Sequence, residues 1–203
     1  RSEAEHLSTR NGVVDRAESD DAEGIGVRVR VGGSWGFAAV RGTDRAEAEG
    51  ALERALAIAA AQPPSPATRL TPEPPALGEH VSPVERDPFQ VPLEDKLAVL
   101  WEADREMRVD RRIAVTATAF HAFRARTLFA STEGALCEQV LTECGGGISA
   151  TAVDGDESQV RSYPASHGGG VSQAGYERFL SLDLPGAAAQ VATEAVALLS
   201  APA

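Results

Sequence analysis

The sequence predicts an α+β fold, with antiparallel sheets built from hairpins and three helices packed on one face. Three observations lead there. Short runs of alternating apolar and polar residues are punctuated by turn pairs at Asn11-Gly12, Gly32-Gly33 and Asp154-Gly155. Three longer stretches carry apolar residues at helical spacing. Strand-like segments come in consecutive runs, so the βαβα rhythm of a parallel sheet is missing.

Residues 7–18 read as a hairpin about Asn11-Gly12, because both turn positions tolerate positive φ. In a second hairpin Ile25, Val27, Val29 and Val31 alternate with Gly26, Arg28 and Arg30. Gly32-Gly33 turns the chain, and Ser34 to Val40 returns with Trp35, Phe37 and Ala39 on one face. Such alternation gives a sheet with one face on a core and the other toward water or a partner. Asp44, with Glu47 three residues on, opens a helix that runs to about Gln62. Its apolar stripe is Leu52, Ala55, Leu56 and Ala59. Pro63-Pro64 ends it, and the proline-rich residues 63–92 read as a semi-rigid, extended connection.

Pro92 suits the first turn of a second helix, Leu93 to about Met107, with Leu93, Leu97, Leu100 and Trp101 facing inward. Strands then fill most of 112–181. They are Ile113 to Ala119, Leu128 to Ser131, Leu136 to Leu141, Ile148 to Val153, Gln159 to Tyr163 and Phe179 to Leu184. Pro185 opens a last helix, in which Ala188, Val191, Ala192, Ala195 and Leu199 share a face. The organisation expected is 1–62 as hairpins plus helix, 63–92 as connection, and 93–203 as helix, strands and helix.

A chain of 203 residues can bury a sizeable core, and 43% hydrophobic with 24% charged residues is ordinary for a globular protein. The net charge of −11 and the pI of about 4.8 argue against nucleic acid as a partner, because displacing counterions from phosphates takes a basic surface. No apolar run approaches the roughly 20 residues that cross a bilayer, so no membrane partner is expected. Cys137 and Cys144 make no disulfide framework and fit a reducing cytoplasm. Cys137 falls on the apolar phase of a strand and reads as a small buried residue. The chain begins at Arg1 and ends at Ala203 after a helix-like run, which predicts a piece of a longer polypeptide.

Two short patterns imitate an esterase. Gly32-Gly33-Ser34-Trp35-Gly36 fits G-x-S-x-G, and His167-Gly168-Gly169-Gly170 fits the oxyanion loop of some lipases. A nucleophile elbow needs a strand-to-helix turn, whereas Ser34 falls between two strands, and the oxyanion loop should precede the serine. Gly24-Ile25-Gly26 leads into a strand, where a dinucleotide loop would lead into a helix. His6, His80, His121 and His167 are not followed by Glu, and no pair has the i, i+4 spacing with which two imidazoles grip one zinc. The sequence therefore predicts no catalytic residue and no metal ligand here.

Gly24-Ile25-Gly26-Val27-Arg28-Val29-Arg30-Val31-Gly32-Gly33-Ser34-Trp35-Gly36-Phe37-Ala38 resembles the signature hairpin of the TldD/PmbA metallopeptidases. Asp87-Pro88-Phe89 with Leu93-Glu94-Asp95-Lys96 resembles the entry to that family's middle helix. Phe129-Ala130-Ser131-Thr132-Glu133-Gly134 is similar to its strand-turn motif. Gln159-Val160-Arg161-Ser162, Gly175-Tyr176-Glu177 and Glu194-Ala195-Val196-Ala197-Leu198-Leu199 are similar to later segments. The matches come in order and span nearly the whole chain, the TldD-like branch fitting better than the PmbA-like one.

The resemblance implies the N-terminal domain of a cytoplasmic, dimeric zinc peptidase. In that family the zinc ligands and the general base lie on an H-E-x-x-x-H helix and a distant cysteine, which implies a catalytic C-terminal domain beyond Ala203. This domain would then wall a chamber that admits extended or unfolded polypeptide, in a homodimer or a heterodimer with a family paralogue. The candidate substrate contacts are Arg28 and Trp35 on the hairpin, with Glu133 and Arg161, although core packing is the weightier expectation for Trp35. The alternatives are a non-catalytic module for dimerisation or partner binding and, third, a stand-alone serine esterase acting through Ser34.

Overall fold

Asn11 and Gly12 adopt φ of 51° and 80°, the two positive values a tight hairpin turn requires. They join β1 (Ser2–Arg10) to β2 (Val13–Ala22). The computed structural model describes residues 1–63, 74–165 and 169–201. The chain continues through β3 (Gly24–Val31), β4 (Ser34–Arg41), α1 (Arg45–Ala61) and β5 (Leu77–Val81). A 3-10 turn at Pro88–Gln90 leads to α2 (Leu93–Glu106), β6 (Ile113–Ala130) and β7 (Leu136–Asp154). It closes with β8 (Glu157–Tyr163), β9 (Gly170–Gln173), α3 (Tyr176–Ser181) and α4 (Leu184–Leu198). The architecture is α+β, as the sequence predicts.

β2, β1, β6, β7 and β5 lie side by side in that order, and β8 and β9 also pair with β7. β7 can hold so many neighbours because it is 19 residues long. β9 lies antiparallel along Glu143–Gly146 and β8 along Ile148–Asp154. β3 and β4 form a separate antiparallel pair.

The contacts divide the chain into two compact units. One takes in Arg1–Ser2, Asp21–Gly78 and Thr127–Glu138, and the other Glu3–Asp20, Glu79–Arg126 and Gln139–Ala203. The second holds the main core. Leu97, Leu100 and Ala103 of α2 and Ala188, Ala192 and Ala195 of α4 are buried with Leu7, Phe120, Ile148 and Ala150 from the strands. Phe120, Tyr176 and Phe179 form its aromatic centre, the rings of Phe120 and Phe179 meeting edge to face at 4.9 Å. A charge is buried beside them. Lys96 Nζ donates to Glu5 Oε2 at 2.7 Å and lies 5.2 Å from the centre of the Phe120 ring. A pair this deep survives only with its partner in place, because removing one leaves the other charge without compensation.

Several expectations change against this structure. The segment 179–184, expected as a strand, contributes Phe179 to helix α3, where it fills the aromatic centre. The segments expected at Ile113–Ala119 and Leu128–Ser131 fall on one strand that ends at Ala130, and those at Leu136–Leu141 and Ile148–Val153 lie within another, which runs unbroken through Gly145, Gly146 and Gly147. Within 63–92 the chain forms β5 and a 3-10 turn, while residues 64–73 of that connection lie outside the described ones. Cys144 is the buried cysteine and Cys137 is only half-buried. In α2, Leu97 and Leu100 face inward as expected, but Leu93 and Trp101 are exposed and Lys96 and Asp104 take the inner positions. α1 packs on β3 and β4, and α2 packs with α4.

Candidate functional site

The hairpin β3–β4 is built so that its small residues face inward. Val27 pairs with Ala38 and Val29 with Gly36, and these residues are turned toward α1. On α1 the residues that meet them are Ala51, Ala55 and Ala59, all buried and four apart. Gly36 sets the spacing, because a Cβ there would stand 1.9 Å from the carbonyl oxygen of Ala55. Asp44 Oδ1 accepts the backbone N–H of Glu47 at 2.8 Å and caps the first turn of α1.

With the small residues inside, the large ones are left outside. Arg28 pairs with Phe37 and Arg30 with Trp35, so two arginine–aromatic pairs lie next to one another on the outer face. Trp35 is 49% and Phe37 54% exposed. The Arg30 guanidinium carbon lies 5.6 Å from the centre of the Trp35 ring, within cation–π range. The ring of Phe37 leans over Gly26, whose absent side chain leaves room for it. Arg28, Trp35, Gly36 and Phe37 line a shallow open depression. Arg41, exposed and paired with Gly24, has the same strand phase.

The sequence-predicted site residues fall in different places. Arg28 and Trp35 are brought together, and the expectation that Trp35 packs in the core is corrected, since helix α1 takes the opposite face of its strand. Glu133 is exposed in the turn between β6 and β7, where Gly134 N donates to Ser131 O at 3.0 Å and Gly134 has a φ of 95°. It belongs to the same compact unit as the hairpin. Arg161 belongs to the other unit and forks onto Glu194 Oε2 of α4, from Nε at 3.0 Å and Nη2 at 2.9 Å. That contact, after a hydrogen bond from Gln190, holds the Glu194 carboxyl below its ordinary range. Phe37, which strand alternation places on one face with Trp35, is the further residue of the outer face. Its signal was the run Ser34, Gly36 and Ala38, whose small side chains suit contact with a helix backbone.

Ser34 opens β4, and its hydroxyl donates to the carbonyl of Pro63 at 3.1 Å. No helix follows the Gly32-Gly33 turn, so the strained elbow that activates a serine is missing. His167 and Gly168 lie outside the described residues. The described residues do not fit a zinc ion. Among the described residues no three His, Cys, Asp or Glu side chains converge. His6 and His121 meet edge to face with ring centres 5.7 Å apart. Cys144 is inert, since burial pushes its thiol up to about 12. No helix of the described residues is long and apolar enough to cross a membrane.

Fold and surface together define an α+β chain of two compact units, one of which carries an exposed arginine–aromatic ribbon backed by a helix. The sequence matches the family model for PmbA/TldA metallopeptidase domain 1 over residues 1–59 and that for the PmbA/TldA metallopeptidase central domain over residues 86–199. The chain belongs to this family of metallopeptidases.

Solved structures share the fold. A candidate modulator of a DNA gyrase from Thermotoga maritima superposes with a TM-score of 0.67 at 14% identity, over 95% of this chain and 42% of its own. One from Bacteroides thetaiotaomicron gives 0.69 at 13%, over 98% and 43%. TldE from Thermococcus kodakarensis gives 0.68 at 15%, over 97% and 42%. The chain thus spans less than half the length of these neighbours. No curated protein matches the sequence.

Proposed function

We propose that this chain is the part of a PmbA/TldD-type metallopeptidase that receives extended polypeptide, and that the outer face of β3–β4 is the receiving surface. The observation that carries this reading is the exposure of Trp35 and Phe37 side by side, with Arg28 across from Phe37, on a two-stranded ribbon. Two large aromatics left in water are a poor use of apolar surface unless something covers them. A ribbon of two strands also leaves edge N–H and C=O groups to which an extended peptide can add as a further strand. Such pairing reads the main chain, so it accepts many sequences and rejects folded ones. The zinc expected of the family is assigned to polypeptide outside these 203 residues, in keeping with the partial coverage of the solved neighbours. The setting we propose is a cytoplasmic dimer that walls a chamber around the metal site.

A second reading rests on a different observation. Leu128, Phe129 and Leu136, at the outer ends of β6 and β7, and Leu77 of β5 are all exposed. Apolar side chains at strand ends suit a partner chain, so this region is the candidate for assembly into a homodimer or a heterodimer with a family paralogue.

The test uses the complete gene product and an unstructured peptide substrate. Trp35→Ala and Phe37→Ala are expected to raise KM by about tenfold with kcat little changed, the loss expected when a stacked apolar contact is removed from binding. Unchanged kinetics in both variants would remove the hairpin from the substrate path, and lost dimerisation with normal turnover per dimer would favour assembly.

A further inference from the structure

The hairpin differs from the rest of the molecule in charge. Gly24–Arg41 contains three arginines and no carboxylate, in a chain whose net charge is −11. All three arginines share the phase of Trp35 and Phe37, as the register shows: Gly24 with Arg41, Arg28 with Phe37, Arg30 with Trp35. Arg28 is exposed, with no ion-pair partner among the described residues. Arg30 lies over the Trp35 ring, so the aromatic is already engaged by a cation on one side. Leaving arginines here and excluding every Asp and Glu makes one small face of an acidic protein attractive to anions.

We infer that this face selects extended peptides carrying acidic side chains on the alternate residues that point at it, with an apolar residue between the carboxylates and the Trp35–Phe37 pair. This inference rests on the reading of the hairpin as a peptide surface and adds a charge preference to it. The geometry sets the spacing. Side chains two apart on a strand point to the same face about 7 Å apart, the interval between Arg28 and Arg30, and Arg41 stands about four strand residues from Arg28. Exposed charge pairs of this kind are screened by salt over about 10 Å at ordinary ionic strength, so the preference is salt-dependent. Three arginines on one strand phase, at the spacing of alternate strand residues, make an acidic extended peptide the occupant the charges favour.

The experiment measures binding of two fluorescent unstructured peptides to the complete gene product by anisotropy. One peptide carries Asp and Glu at alternate positions, and the other carries Asn and Gln in their place. The acidic peptide should bind about five- to tenfold more tightly at low salt, as expected of one or two exposed charge pairs, and the difference should vanish at high salt. Arg28→Glu should abolish the preference for the acidic peptide over the amide one. Equal binding of the two peptides, still weakened by Trp35→Ala, would overturn the charge preference and leave the peptide surface standing. Binding of both peptides that ignores Arg28→Glu and Trp35→Ala would overturn both. Displacement of the acidic peptide by an oligonucleotide at lower concentration than by unlabelled acidic peptide would also overturn the inference.

Discussion

His6 on β1 and His121 on β6 stand ring against ring across the sheet, with Arg16 and Glu18 of β2 paired beside them. Burial, then the Arg16 charge, then His121 lower the pKa of His6 below its ordinary 6.5, and Glu18 only partly opposes them. The folded chain therefore holds His6 neutral more firmly than the unfolded chain does. Between pH 6.5 and the lower folded value the unfolded state binds more protons, so stability is full above 6.5 and is lost as pH falls through the folded value. Urea denaturation between pH 7 and pH 5 should show this decline. His6→Gln should flatten it, and an identical decline in the variant would assign the loss to other groups. Residue identity revealed little of this. His6 and His121 are 115 positions apart, and only the pairing of β1 with β6 brings them together. The exposure of Trp35 is hidden in the sequence for a related reason, since alternation fixes which residues share a face but leaves open which face the helix will cover.

Helix α1 shows how that choice is made. By spacing alone its apolar stripe was Leu52, Ala55, Leu56 and Ala59, yet Leu52 and Leu56 are exposed and the contact is made by Ala51, Ala55 and Ala59. Close approach won over side-chain size. Gly36 lets the backbone of β4 reach α1, and only alanines fit in the remaining gap. Gly36→Ala should destabilise by on the order of 3 kcal/mol, because the new methyl meets a carbonyl oxygen that is held by the helix. Leu56→Gln should change stability by less than about 0.5 kcal/mol, as expected of an exposed position. Thermal unfolding of both variants decides the matter, and the reverse order would restore the leucine stripe as the buried one. The hairpins, the three long helices and the cap at Asp44 were legible because each has a local cause: a turn pair, a period, a side-chain oxygen next to free N–H groups. The segment at Phe179 was not legible, since its helical state is stabilised by Phe120 from a distant part of the chain.

For the molecule as a whole, the family was legible through ordered motifs, and the family models for two domains match the segments that carry them. The candidate site was half legible. The hairpin that carries Arg28 and Trp35 is legible from its alternation and its turn glycines, whereas the outward facing of Phe37 and the charge asymmetry of the face depend on strand register. Arg161 illustrates the limit, because its role as the partner of Glu194 depends on where α4 passes β8. The division into compact units likewise follows strand pairing and not chain order, with β1 and most of β2 grouped with residues from the far half of the sequence.

The central claim is that the outer face of β3–β4 is where extended polypeptide is held. Amide hydrogen exchange on the complete gene product, with and without a saturating unstructured peptide, tests it most directly. The account predicts slowed exchange within Gly24–Arg41, at the strand edges that the peptide would pair with, and little change in the buried core around Phe120. Peptide that binds with no change in Gly24–Arg41, and with protection confined to other segments, would contradict it.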